Sequence, residues 1–332
     1  MLNKGFKIKL SEETIKYLKG SKNLLAFSGG VDSSALFHIL LENSIEFDLA
    51  IVDYNFRKQS KDEVAYAKHL AQHFEKKLYI GEVSMDRFSE KGARDIRYNF
   101  LEDVIKENLY KNLITGHQLN DKLEWFFMQF SKGAGLLELT GMSEFEVRDG
   151  YRLIRPLIDT SKDGLLQYLT EKDIKYFIDA SNFDERYKRN YFRHNFSNHF
   201  LKEFKSGVAN SFRYLEEDKA LILKGGINIE SEKMFFTFQS LSNTRVDIFY
   251  IDKILKRVGY IISSKQRDEI LKNREVVIGG EWVIAITENR VYVTPYRYST
   301  MDKNFKERCR VQKVPKLIRP YLFEINSRFC LN

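Results

Sequence analysis

The chain has only two cysteines in 332 residues, Cys309 and Cys330, both near its end. That excludes a disulfide framework and leaves no CxxC pair for a metal or an iron–sulfur cluster. No stretch approaches the ~20 uninterrupted apolar residues of a membrane span. The first twenty residues, MLNKGFKIKLSEETIKYLKG, are too charged for a signal-peptide core and offer no small-residue cleavage site. A cytoplasmic protein is therefore expected. Neither an internal repeat nor a low-complexity tract is present. A strong charge bias is also missing from the larger part. Residues 1–205 carry 32 Lys and Arg against 31 Asp and Glu, whereas residues 206–332 carry 22 against 15. Most of the net charge of +8 thus lies late in the chain, and 9 basic against 3 acidic residues fall in 291–332. A basic tail on a neutral body suits a polyanion such as a nucleic acid, although a merely solvated basic surface has the same composition.

Short apolar runs alternate with amphipathic stretches over the first ~200 residues. Strands are expected at Asn23–Phe27, Phe47–Asp53, Lys77–Val83, Asn112–Gly116 and Tyr151–Leu157. Helices are expected from Ser34, over Lys61–Phe74, Ala93–Glu107 and Asp121–Phe130, and over Ser161–Glu171 with Ser161 as N-cap. This βαβα rhythm predicts an α/β fold with a parallel sheet, whose ligands bind beyond the carboxyl ends of the strands. A long helical stretch, Tyr191–Lys224, follows. Beyond it a smaller α+β domain is expected, with a helix at Thr244–Val258 and antiparallel strands within Val276–Tyr296. The predicted division is 1–205, 206–298 and a short basic segment, 299–332, that docks rather than folding alone.

The densest concentration of special residues is Ala26-Phe27-Ser28-Gly29-Gly30-Val31-Asp32-Ser33-Ser34, between the first strand and the first long helix. Such a turn offers free N–H groups and a positive helix end to an anion, and glycines let the backbone approach phosphate closely. A carboxylate there makes sense if Mg²⁺ lies between Asp32 and the phosphates. The spacing is not that of a Walker A loop.

This stretch resembles the SGGxDS signature of the PP-loop ATP pyrophosphatases, which cleave ATP between its α and β phosphates. Further segments resemble one family within that group, the tRNA(Ile)-lysidine synthetases. They are Ala93-Arg94-Asp95-Ile96-Arg97-Tyr98, the block from Gly116-His117 to Asp121-Lys122-Leu123-Glu124, Ser131–Met142, Arg155-Pro156-Leu157, and 179–194. The resemblance is detailed over 24–200 and weaker beyond. It implies adenylation of the C2 carbonyl of the wobble cytidine in the CAU anticodon of tRNA(Ile), using ATP and Mg²⁺. Attack by the ε-amine of L-lysine then gives lysidine and AMP.

On that resemblance the catalytic set is Asp32, Arg94, Arg97 and Asp121, with Asp32 and Asp121 as metal ligands. ATP falls to 26–34, Gly116 and His117. Asp121, Glu124 and His117 are the candidates for taking the amine's proton. Arg186, Lys188, Arg189 and Arg193, interleaved with aromatics, and the tail residues Lys313, Lys316 and Arg319 are expected on tRNA. The chain departs from the family at Asn120, where an aspartate is usual, at Gln118, where a histidine is usual, and at Asp53-Tyr54-Asn55-Phe56-Arg57. Asp53 is the candidate to compensate for Asn120. A homodimer is left open. A PP-loop tRNA thiolase is the alternative, disfavoured by the missing cysteine pair. A PP-loop amidotransferase would need an ammonia source, and a non-catalytic nucleotide-binding regulator would have no use for Arg94 and Arg97.

Overall fold

The computed structural model describes residues 7–54, 58–83, 90–178, 184–224 and 226–330; positions 55–57, part of one departure from the family pattern, and 179–183, part of one resemblance, lie outside them. The chain divides into two compact units, Met1–Glu217 and Asp218–Asn332.

The first unit holds strands β1 (Asn23–Ala26), β2 (Asp48–Asp53), β3 (Leu78–Glu82), β4 (Asn112–Ile114), β5 (Phe145–Arg148) and β6 (Tyr151–Ile154). They form one sheet in the order β3-β2-β1-β4-β6-β5, parallel throughout except for the β5–β6 hairpin. The helices are α1 (Glu12–Leu18), α2 (Val31–Glu42), α3 (Lys58–His73), α4 (Glu90–Asn108), α5 (Leu119–Phe130), α6 (Leu136–Leu139), α7 (Lys162–Glu171), α8 (Lys188–Phe192) and α9 (Asn198–Ile222). The expected parallel α/β sheet is present, and β5 is an additional antiparallel edge strand.

Strand residues alternate strictly between two cores, as a pleated sheet covered on both faces requires. Leu25, Leu49, Ile51, Ile114 and Ile154 pack with α2, α3 and α7. Leu24, Ala50, Leu113 and Leu153 pack with Leu101, Val104 and Ile105 of α4. Each fully buried leucine or isoleucine contributes about 1.5–3 kcal/mol. Strand order reverses direction between β2-β1 and β4, so the carboxyl ends of β1 and β4 open the crevice where α/β sheets place ligands. Ser161 does cap α7, accepting from the Gly164 N–H at 3.3 Å.

The second unit is a five-stranded antiparallel sheet, β7 (Glu230–Glu232), β8 (Phe235–Gln239), β9 (Glu275–Ile278), β10 (Trp282–Ile286) and β11 (Arg290–Pro295), in the order β7-β8-β11-β10-β9. On one face Ile284, Ile286, Val291 and Val293 pack with α10 (Thr244–Arg257) and α11 (Ser264–Asn273). On the other, Phe235, Val283, Ala285 and Tyr292 pack with Phe305, Cys309, Ile318 and Leu322. The last four belong to α12 (Lys303–Val311), α13 (Arg319–Glu324) and the turn between them.

Candidate active site

The turn after β1 is built around its own hydroxyls. The Ser28 N–H donates to Ser33 Oγ at 3.2 Å, the two hydroxyls lie 3.1 Å apart, and Ser34 Oγ donates to the Gly29 carbonyl at 3.2 Å. Gly29 has φ +72°, and a Cβ there would strike the Phe177 ring at 3.1 Å. The Phe177 N–H donates to the Gly29 carbonyl at 2.8 Å and fixes the curl. Gly30 is the N-cap of α2 and brings no side chain to the cap, which leaves the first N–H groups of α2 without a side-chain cap and suited to an anion.

Asp32 stands in the first turn of α2 with Oδ1 buried and without a hydrogen-bond partner among the described residues. Burial, reinforced by the Asp121 and Glu124 carboxylates and opposed by Lys162 and Arg193, pushes its carboxyl up to about 7. A buried carboxyl oxygen with no donor, repelled by two other carboxylates, is suited to a cation. Mg²⁺, which takes one or two protein carboxylates and completes its shell with water and phosphate, fits that donor set.

Asp121, expected to open the helix after β4, is the third residue of α5. Gln118 is the N-cap: its Oε1 accepts from the Asn120 N–H at 2.6 Å, while Asp121 Oδ2 accepts from the Gln118 N–H at 3.0 Å. This reciprocal cap gives Gln118, one of the departures from the family pattern, a local structural reason. The other Asp121 oxygen accepts from Arg189 Nη2. Glu124, one turn further on, is fully buried and accepts from Arg189 Nε at 2.9 Å and from Arg193 Nε at 2.7 Å. Burial works against the charge of Asp121, yet Arg189, Arg193 and the Gln118 N–H hold its carboxyl below the usual range. Arg189 and Arg193, expected to grip RNA, thus spend donors on two buried carboxylates. Both Glu124 oxygens thus accept from an arginine.

His117 follows β4, with Nδ1 2.9 Å from the Thr115 hydroxyl. Burial, aided by Arg155, Arg189 and Arg97 and resisted by Asp121, pushes its imidazole down to about 3, so it is neutral at physiological pH. Arg94 and Arg97 project from α4 around the Tyr98 ring, which also carries Arg148, the three guanidinium carbons lying 5.3, 6.0 and 4.8 Å from its centroid. Charge repulsion from Arg97, Arg189 and Arg148 reaches Arg94. The loop, Asp32, Asp121, His117 and this arginine group are therefore one neighbourhood in the first unit.

Arg186 and Lys188 are exposed, Arg186 paired with Asp184. Lys313 and Lys316 are exposed on the second unit, where Arg319 Nε donates to the Val314 carbonyl at 2.9 Å. Asp53 is buried and accepts from the Ser60 hydroxyl at 2.7 Å. Lys162, the first residue of α7, was not singled out in the sequence, yet its charge acts on Asp32. Only its place after an N-capping serine marks it.

The PP-loop domain family matches residues 2–200. A tRNA(Ile)-lysidine synthase of Campylobacter jejuni strain RM1221 is 43% identical over 95% of this chain and 97% of its own length. That of Helicobacter pylori strain 26695 is 40% identical over 92% and 90%, and that of Wolinella succinogenes 39% over 95% and 96%. Among solved structures, the U34-tRNA thiolase NcsA of Methanococcus maripaludis, with its [4Fe-4S] cluster, shares the fold at TM-score 0.51 and 17% identity, over 62% of this chain and 76% of that one. At that identity the likeness concerns fold alone. A loop built for an anion beside a carboxyl lacking a donor, carried on a chain alike to these synthases over nearly its whole length, places the protein in the tRNA(Ile)-lysidine synthase family.

Proposed function

We propose that this protein converts the wobble cytidine of the CAU anticodon of tRNA(Ile) to lysidine, consuming ATP and L-lysine. The observation that carries the reading is the β1–α2 turn, with N–H groups lacking a side-chain cap and the donorless Asp32 oxygen at one helix start. The cytidine O2 attacks the α-phosphorus as the bond to the β-phosphate oxygen breaks, releasing pyrophosphate. The neutral lysine ε-amine then attacks C2, the C2–O bond breaks, and AMP departs as the nitrogen passes its proton to water.

In this reading residues 26–34 hold the phosphates with Gly116 and His117 alongside, and Arg94 and Arg97 balance charge developing on pyrophosphate or sit on the cytidine backbone. Asp32 would hold Mg²⁺, with Asp121 as the second acidic group, and the ion when bound would supply charge neutralisation at the departing pyrophosphate. Asp121, ionised and low in proton affinity, attracts and orients the lysine amine rather than removing its proton. The neutral His117 lets an anion approach without competing for a proton. Exposed Tyr191, Phe196 and Phe200, with Arg186 and Lys188 nearby in sequence, are assigned to unpaired anticodon-loop bases and phosphates, and Lys313, Lys316 and Arg319 to the tRNA body. Residues 218–332 serve tRNA recognition, the setting is cytoplasmic, and a homodimer is compatible with this scheme.

The test is nucleoside mass analysis of unmodified tRNA(Ile) bearing CAU after incubation with the protein, ATP, Mg²⁺ and L-lysine, with ATP and lysine each omitted in turn. A lysine adduct of cytidine only in the complete mixture is expected. Unchanged cytidine with pyrophosphate still released would reject the acceptor and keep the PP-loop chemistry.

A further inference from the structure

Helices α2 and α7 run side by side in the same direction, packed through Leu36, Leu40, Leu165 and Leu169. Their carboxyl ends are tied together: Lys172 Nζ lies 2.6 Å from Glu42 Oε1, and the Tyr168 hydroxyl donates to the same oxygen at 2.8 Å. Asp32 is ten residues before Glu42, and Lys162 is ten before Lys172. At 1.5 Å of rise per residue, equal steps of about 15 Å along two parallel helices bring Asp32 and Lys162 abreast at the amino ends.

A second set of bonds fixes that end of α7. The Lys162 N–H donates to Asn120 Oδ1 at 3.1 Å, and Asn120 Nδ2 donates to Asn198 Oδ1 at 3.1 Å. The Leu119 N–H donates to the Thr160 carbonyl at 2.9 Å, so the segment leading into α7 lies along the start of α5, which carries Asp121. One amide at Asn120 thereby joins the starts of α5, α7 and α9. An aspartate there lacks the N–H given to Asn198.

We propose that Lys162 is a phosphate-binding residue of this site, its ammonium set beside Asp32 by the paired helices and the Asn120 amide to meet the nucleotide phosphates. The inference rests on the ATP-binding reading above. The Lys162 ammonium has no ion-pair partner within 4 Å among the described residues, so it reaches an anion without first leaving a carboxylate. Of the cations acting on Asp32, it acts most strongly. Two helix starts and an ammonium then converge beside the first turn of α2, which has no side-chain cap. Substitution leaves the backbone bond to Asn120 in place, so the side chain is tested by itself.

The experiment is calorimetric binding of ATP, inorganic pyrophosphate and adenosine, with Mg²⁺, to the full chain and to Lys162→Met, Lys162→Gln and Lys162→Arg. Lys162→Met and Lys162→Gln are expected to weaken ATP and pyrophosphate about tenfold or more and adenosine hardly at all, and Lys162→Arg to restore most of the loss. In turnover assays KM for ATP rises while KM for lysine stays put. Unchanged ATP and pyrophosphate affinity in either folded neutral variant would overturn the assignment. A parent protein that bound neither compound would bring down the nucleotide reading itself, and this inference with it.

Discussion

Gly116 lies against Asp32 so closely that a Cβ on it would meet the Asp32 carbonyl carbon at 3.1 Å and its Cβ at 3.2 Å. The end of β4 and the first turn of α2 touch through a residue with no side chain. Gly116→Ala must displace one of them by a few tenths of an ångström, and displacement of reacting groups is costly to rate. A fall of about ten- to a hundredfold in kcat/KM for ATP is expected, with the thermal midpoint little changed. Steady-state kinetics beside a melting curve checks this; wild-type kinetics would show that the contact relaxes without consequence.

The carboxyl of Asp32 rises from an ordinary value of 3.8 to about 7, chiefly through burial. Between those values the folded protein retains a proton that the unfolded chain releases. The associated stability is complete below about 3.8 and lost as pH climbs through about 7. Metal-free Asp32→Asn should match the parent near pH 4 and exceed it by on the order of 2–4 kcal/mol at pH 8. Chemical denaturation at both pH values measures the gap, and a gap independent of pH contradicts the assignment.

Glu124 is fully buried with Arg189 and Arg193 on its oxygens. Removing one partner of a buried ion group leaves the others uncompensated, so Glu124→Ala should cost about 3–5 kcal/mol. A loss below about 1 kcal/mol in urea unfolding would mean that the arginines find other partners cheaply.

Cys309 is buried in the core between the second sheet and α12–α13. A chain with Cys309→Ala and Cys330→Ser is expected to keep lysine-dependent modification of tRNA, losing at most about 1.5 kcal/mol of stability. Abolished activity in a folded double variant would point back to thiol chemistry.

Lys313 and Lys316 are exposed on the second unit. If each neutralises a phosphate, changing both to Gln should flatten the log–log salt dependence of tRNA binding by about 1.4–1.8. Filter binding across a salt series reads that slope directly, and an unaltered slope removes both residues from the interface.

The buried strands were legible because Leu24-Leu25, Leu49–Ile51 and Leu113-Ile114 form apolar runs bounded by polar residues, and the loop was legible because glycines and serines have few other reasons to cluster. Strands β5, β7 and β8 are not among the expected ones. Phe145–Arg148 and Glu230–Glu232 are short and charged, so hairpin pairing with the next strand, β6 and β8 respectively, rather than propensity makes them strands. The engagement of Arg189 and Arg193 was equally hidden. A run of cations and aromatics does not disclose which face turns inward, and the π-helical turn at Arg193–Ser197 shifts the register away from the regular 3.6 spacing. Lys162 reads in sequence as a solvated first-turn lysine; only the parallel pairing of α2 with α7 brings it to Asp32.

The two-faced burial of the second sheet bears on biosynthesis. Val283 and Ala285 wait for Phe305, Cys309, Ile318 and Leu322 to cover them, while Ile284 and Ile286 are covered by helices already made. During translation this unit completes one half of its interior early and leaves the other greasy and open until α13 emerges. A chain truncated after β11 would therefore present a natural substrate for chaperones and proteases, even though it contained every strand of the sheet.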